Sequence, residues 1–321
     1  MNLAELRESL EFLFDPAGEI GLVMYFVVST EAGFVARQAD ITEEVRVSLR
    51  DQFLSFIQEK FMVNQELHFA DITVADNRQN SAYYFDLDEL PTGLIVMGDL
   101  MQDEAAPVFD FNTDDYESVF GFVFLLGNES HKVGLYKKHY PINLLKRDSI
   151  LRLFKVGTRL VEVPEDIITL TEKVDFLQVG TEIVVINTNT LEKFFGFDAI
   201  VRSQAEVSIG IIEAANFLSD VSALQDMAVD LRFAKKLMRV KADSPVLQLP
   251  FARVREFIKQ HPQLKRRIRF NADESRISLD TKTSKQLFLK LLDDDFLKSD
   301  LTQFLYETEI KSRLSNEEAS D

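Results

Sequence analysis

The chain of 321 residues contains 27 Phe but no Trp and no Cys, and its formal net charge is −17. Without cysteine there is no disulfide scaffold, no Cys-ligated zinc and no thiol nucleophile, and the lack fits a reducing compartment. The opening MNLAELRESLEF is charged and amphipathic rather than a secretory leader, and the longest apolar run, residues 21–28, is far too short to span a bilayer.

These features lead to the expectation of a cytoplasmic protein with no direct membrane insertion, which reaches a membrane only through a partner. Residues 20–29 form an apolar, β-branched run that ends in the turn-like Ser-Thr-Glu-Ala-Gly and predicts a strand. A helix follows over 41–62: Asp40 or Thr42 can cap it, and Val45, Leu49, Phe53, Phe56 and Ile57 recur at helical spacing. Short strands are predicted at 68–74, 82–86, 94–97 and 120–126, the third lying between Gly93 and Gly98, which read as turns. Residues 132–136 resume after Gly127-Asn128 as the second arm of a hairpin. Further strands are expected at 151–154, 159–163, 176–179 and 182–187, with Gly180-Thr181 joining the last two.

Beyond residue 190 the hydrophobic period changes. Thr190 can cap a helix over 191–197, and helices are predicted over 200–218, 223–233, 234–240, 251–260 and 284–292, with a small strand pair at 268–270 and 276–278. Strands first and helices later argue for an α+β fold. Its strand-rich N-terminal part, 1–190, is acidic and of mixed or antiparallel pairing. Its C-terminal part, 191–321, is mostly helical, and the boundary is soft enough to leave room for one compact unit.

Charge is segregated along the chain. Residues 1–130 carry 6 Lys and Arg against 25 Asp and Glu, and residues 161–230 carry 3 against 13. By contrast, residues 131–160 carry 8 against 1, and residues 231–290 carry 16 against 5. Lys137, Lys138, Lys146 and Arg147 lie on either side of Tyr140-Pro141. Lys235, Lys236 and Arg239 fall within two helical turns, with Lys235 and Arg239 on one face at i, i+4. Lys265, Arg266, Arg267 and Arg269 follow the turn at Pro262. On a common face these cations would neutralise several phosphates of double-stranded DNA, giving salt-sensitive and largely sequence-independent binding. A homodimer or higher oligomer would double that face. The plain alternative is a set of solvated faces neutralised by acidic neighbours. No recognition helix or zinc finger is present in the pattern, so base readout is not predicted.

Catalytic patterns are missing: there is no GxSxG elbow, P-loop, GxGxxG or HExxH. His68, His131, His139 and His261 lack metal-ligand spacing. Asp175 and Glu182 flank the predicted hairpin in a way that loosely resembles a metal-dependent nuclease, but Val184 stands where a Lys would be needed. Asp293-Asp294-Asp295 is the densest acidic run, and consecutive residues at a helix end diverge. The sequence therefore reads as a non-enzymatic binding protein without metal or cofactor. An adaptor that binds only protein and a metal-dependent nuclease are the alternatives.

The stretch Leu291-Leu292-Asp293-Asp294-Asp295-Phe296-Leu297-Lys298-Ser299-Asp300-Leu301-Thr302, then Tyr306, Lys311 and Arg313-Leu314, resembles a known family, as does Gly134-Leu135-Tyr136-Lys137-Lys138-His139-Tyr140. That family includes KwaB, the cytosolic subunit of the Kiwa anti-phage defence system, and the resemblance covers mainly residues 120–314. It implies a small multi-span membrane partner, KwaA, that would hold the chain peripherally at the inner membrane. It also implies a soluble subunit that binds DNA and interferes with phage DNA replication or expression. No functional residue carries over from it. The plain reading of the tail is that Phe296, Leu297, Leu301, Phe304 and Leu305 close the core.

Overall fold

The computed structural model describes all residues except 17, 76–77, 88, 103–104, 129, 141–143, 146–152, 157–158, 163–166, 299–303 and 308–321, with backbone alone at 144–145, 153–156, 159–162, 167, 298 and 307. It divides into two compact units, Met1–Phe197 and Asp198–Asp321. The chain is α+β, with a large mixed sheet towards the N-terminus and helices towards the C-terminus.

Unit 1 opens on helix α1 (Leu3–Leu10), where the side chain of Asn2 and that of Glu5 cap each other's backbone N–H. The Ser-Thr-Glu-Ala-Gly stretch makes the expected turn, and a two-residue link there joins β1 (Gly21–Thr30) to β2 (Gly33–Gln38), a second hairpin arm that the sequence did not predict. Helix α2 (Glu43–Ile57), capped by Thr42, runs into a π-turn over Gln58–Met62. Arg7 donates to the carbonyls of Phe61 and Asn64, each at 2.7 Å, and so satisfies acceptors at that helix end. There follow β3 (His68–Asp71), β4 (Ser81–Tyr84), helix α3 (Thr92–Gln102), β5 (Val119–Gly127) and β6 (Lys132–Lys138). Short pairs join β7 (Leu144–Leu145) to β10 (Ile167–Ile168) and β8 (Leu153–Val156) to β9 (Arg159–Glu162). Strands β11 (Phe176–Val179) and β12 (Glu182–Val185) and helix α4 (Thr188–Phe194) complete the unit.

Eight strands form one sheet in the order β2-β1-β5-β6-β11-β12-β4-β3, antiparallel throughout except for the parallel pair β3–β4. One face packs Leu22, Met24, Phe122, Phe124, Leu135 and Leu177 with Leu6 and Leu10 of α1 and Phe53 and Ile57 of α2. The other face carries Tyr25, Val123 and Tyr136, also buried. A sheet covered on both faces needs apolar side chains at successive positions, which is why β1 and β5 read as continuous runs rather than alternations.

The strand predicted at 94–97 is instead part of α3. Its buried Gly93, Leu94, Val96, Met97 and Leu100 make a helical stripe. Of the glycines that read as turns, Gly93 serves close approach, since a Cβ there would meet the Phe195 ring at 3.0 Å, whereas a Cβ on Gly98 would meet Gln178 at an ordinary contact distance of 3.6 Å. Helix α4 is likewise capped by Asn187, whose side chain accepts from Thr190 N–H at 3.2 Å, and not by Thr190.

Unit 2 holds α5 (Phe197–Ala214) from Asp198 onward, α6 (Ser222–Ala228), α7 (Leu231–Leu237) and α8 (Phe251–Gln260), then β13 (Arg269–Phe270) paired with β14 (Ile277–Ser278). Helix α9 (Lys282–Leu292) and the pair β15 (Phe296–Lys298) with β16 (Leu305–Glu307) follow. Ile200, Val201, Ala205, Ser208, Ile209 and Ile212 form the buried stripe of α5. The helix predicted over 223–233 breaks at Val229-Asp230, because Asp230 leaves helical geometry to cap α7 by accepting from Arg232 N–H at 2.9 Å. Arg239 lies past the end of α7, so it does not continue one helical face with Lys235.

The acidic run closes α9. Asp294 adopts φ 57°, its N–H donates to Leu291 O, and Asp295 N–H donates to Lys290 O, the bond pair of a Schellman motif. Of the tail residues expected in the core, Phe296 is buried, whereas Leu297, Phe304 and Leu305 are exposed. Leu301 lies outside the described residues.

Candidate nucleic-acid interface

Strand β6 ends in the two lysines expected at a phosphate surface, and the pleat sends them in opposite directions. Lys138 shares a face with Gly134 and Tyr136 and is only 7% exposed. Its Nζ donates to His139 O at 2.6 Å and sits 4.1 Å from the Phe120 ring centroid and 5.2 Å from that of Phe194. Burial pushes this ammonium down to about 8, with Asp175 opposing the shift. Lys138 is therefore enclosed by rings, unlike the solvent-facing cation expected from its place in a basic run. Lys137 is half-buried and donates to Thr171 Oγ1 at 2.8 Å and to Lys173 O. Burial lowers its pKa, and the charges of Asp175 and Glu172 oppose this. Lys146 and Arg147 lie outside the described residues.

Beside Lys138 stands His139, buried edge-on to the rings of Tyr116 and Phe122 at 5.3 Å each. Asp175 organises the strand ends around it: its carboxylate accepts from Lys138 N–H at 2.7 Å, Asn187 Nδ2 at 2.7 Å and Thr190 Oγ1 at 2.9 Å. Three donors converging on one buried acceptor tie β6 and β11 to the start of α4. Glu182 is exposed at the turn end of the β11–β12 hairpin, opposite Val179, whereas Asp175 precedes the far pair Phe176–Val185. The two carboxylates thus occupy opposite ends of the hairpin. Among the described residues no group of three or more His, Asp or Glu comes together to hold a metal ion.

Unit 2 presents its cations differently. Buried Leu264 and Ile268 anchor the two sides of a tight turn after α8, and Lys265, Arg266 and Arg267 between them are exposed. Arg269 is exposed at the start of β13, 3.9 Å from the Asp280 carboxylate. Lys235, Lys236 and Arg239 are half-buried, and each has an interaction partner.

Lys236 also lines an open groove of about 760 Å³, where Arg232, Lys282 and Lys285 join it. Sequence reasoning does not single out those three cations. Two of them, Lys282 and Lys285, sit at i, i+3 after the Thr281 cap, a one-face spacing that is visible in the sequence.

An α+β chain with a doubly covered mixed sheet and a cation-rich helical unit is the class defined here. Among the described residues no helix is long and apolar enough to cross a membrane. The family model for Kiwa protein KwaB-like proteins matches residues 116–302. The chain is also 26% identical, over 325 aligned residues, to Kiwa protein KwaB from Escherichia coli O55:H7 (strain RM12579 / EPEC), covering 98% of this chain and 99% of that protein. This chain belongs to the KwaB-like family, and the membership supports a role in an anti-phage defence system. No solved structure matches it.

Proposed function

We propose that this chain is a DNA-binding effector of an anti-phage defence system, holding duplex DNA through its phosphates with the cations of unit 2. The observation that carries the reading is the solvent-facing run Lys265-Arg266-Arg267, pinned between buried Leu264 and Ile268. A cation that meets a phosphate releases condensed counterions, so affinity comes from entropy and falls with salt. Contacts of this kind set position on the duplex without reading bases, and this suits an effector that must act on any incoming phage genome. In this reading Lys138 makes no phosphate contact, and a small multi-span protein of the KwaA kind brings the chain to the inner membrane. A homodimer or higher oligomer would multiply the phosphate contacts, and bound chains would obstruct replication or expression of phage DNA without cutting it.

A gel shift with duplex DNA tests this at low and at raised salt. Binding is expected at about 50 mM salt and large loss of affinity by about 200 mM. Lys235→Glu/Lys236→Glu/Arg239→Glu is expected to weaken binding through the repulsion it adds. Absence of a shift at the lower salt would leave the adaptor reading in its place.

A further inference from the structure

We propose that unit 2 carries a binding groove for a nucleoside phosphate, between the α6–α7 break and the first turns of α9. The groove of about 760 Å³ lies within the size range of small-molecule sites and is ample for a nucleotide. Arg232, Lys236, Lys282 and Lys285 line it against two carboxylates, Asp226 and Asp230. Asp230 is already committed as the cap of α7. Among the described residues, none of Arg232, Lys282 and Lys285 lies within ion-pairing distance of a carboxylate.

The placement of these charges works against local stability. Helix α9 begins with Lys282 and Lys285 and has no acid in its first turn. That start opposes the helix dipole, which favours acids there. Among the described residues no carboxylate pairs with Lys282 or Lys285 there, and the result is a groove whose positive potential an anion would relieve. The ligand is not a bare anion, because Met227 and Val229, the latter 72% exposed, supply an apolar wall beside the cations. Phosphate on the cations and a base or sugar on that wall satisfies both halves. The nucleoside phosphate has two sources, a free nucleotide or the phosphorylated end of a nucleic-acid strand. The inference does not rest on duplex binding by the Lys265–Arg267 turn.

Calorimetric titration of the full chain tests it with metal-free ATP, and with one short single strand carrying either a 5′-phosphate or a 5′-hydroxyl. Saturable binding is expected, weakened at least about tenfold, the order that removing a hydrogen bond to a charged group gives, in Lys282→Gln/Lys285→Gln. Arg46→Gln/Arg253→Gln, which removes two exposed cations outside both the groove and the Lys265–Arg267 turn, should leave it unchanged, with circular dichroism checking that both variants fold. Binding of ATP identifies a free nucleotide as the ligand, and binding that requires the 5′-phosphate identifies a strand end. Absence of saturable binding by every probe overturns the proposal. So does equal weakening by the two variants, which would reduce the effect to general charge. A chain that binds ATP here yet fails to shift duplex DNA would keep the groove and lose the function proposed above.

Discussion

Lowering the pH from about 7 to about 5 is expected to destabilise unit 1 through one buried imidazole, His139. The residue is 4% exposed, and its Nδ1 has no hydrogen-bond partner. Burial first, and then the Lys138 ammonium, lower its pKa to about 4 from 6.5. A depressed folded-state pKa means that the unfolded chain takes up the proton first as the solution is acidified. The stabilisation is therefore complete above 6.5 and is lost progressively down to about 4. Those two values make the loss between pH 7 and pH 5 about 2 kcal/mol. His139→Phe keeps an aromatic ring against Tyr116 and Phe122 and removes the proton site. Urea unfolding can be followed through tyrosine fluorescence, because the chain has no Trp and, of its 7 Tyr, all but Tyr306 lie in unit 1. The wild type should lose about 2 kcal/mol more than the variant across this interval. Equal losses would refute the reasoning and show that the imidazole protonates in the folded state without penalty.

Three substitutions probe other parts of the account. Asp175→Asn puts a donor where three donors already converge and is expected to cost about 2–4 kcal/mol in chemical denaturation. Unchanged stability together with abolished Mg²⁺-dependent DNA degradation would instead make Asp175 a metal ligand. Gly121→Ala places a Cβ 2.7 Å from ring carbons of fully buried Tyr136, and overpacking of this kind should cost about 1–3 kcal/mol; a neutral result would mean the ring can move aside. Asp294→Gly relieves a left-handed backbone and removes a negative charge from a helix C-terminus, so thermal unfolding of unit 2 should gain about 1 kcal/mol. A decrease in stability would show that the carboxylate's own interaction outweighs the strain.

The central strands were legible because burial on both faces writes β1, β5, β6 and the β11–β12 hairpin as apolar runs punctuated by glycine. Helix α3 was not, since Gly93 carries the same letter whether it turns a chain or lets a helix approach Phe195, and Gly98 sits within a helix at an ordinary distance from Gln178. Periodicity shows which residues of β6 share a face, but not that Phe120 and Phe194 would close over Lys138. The basic character of 231–290 was plain in composition. Its partition was not: the Lys265–Arg267 turn faces solvent by virtue of its flanking anchors. Lys282 and Lys285 join Arg232 only through the tertiary path of α9. The acidic run at 293–295 stayed ambiguous because a Schellman cap usually carries Gly at the position Asp294 holds.

Salt dependence of duplex binding measures phosphate engagement most directly. The dissociation constant of wild type and of Lys265→Gln/Arg266→Gln/Arg267→Gln is to be determined over a salt series. For the wild type, log affinity should fall linearly with log salt, and the variant's line should be shallower by about 0.9 for each phosphate it no longer neutralises. A variant with the wild-type slope, or a wild type that binds no duplex at about 50 mM salt, would contradict the claim that these exposed cations hold DNA.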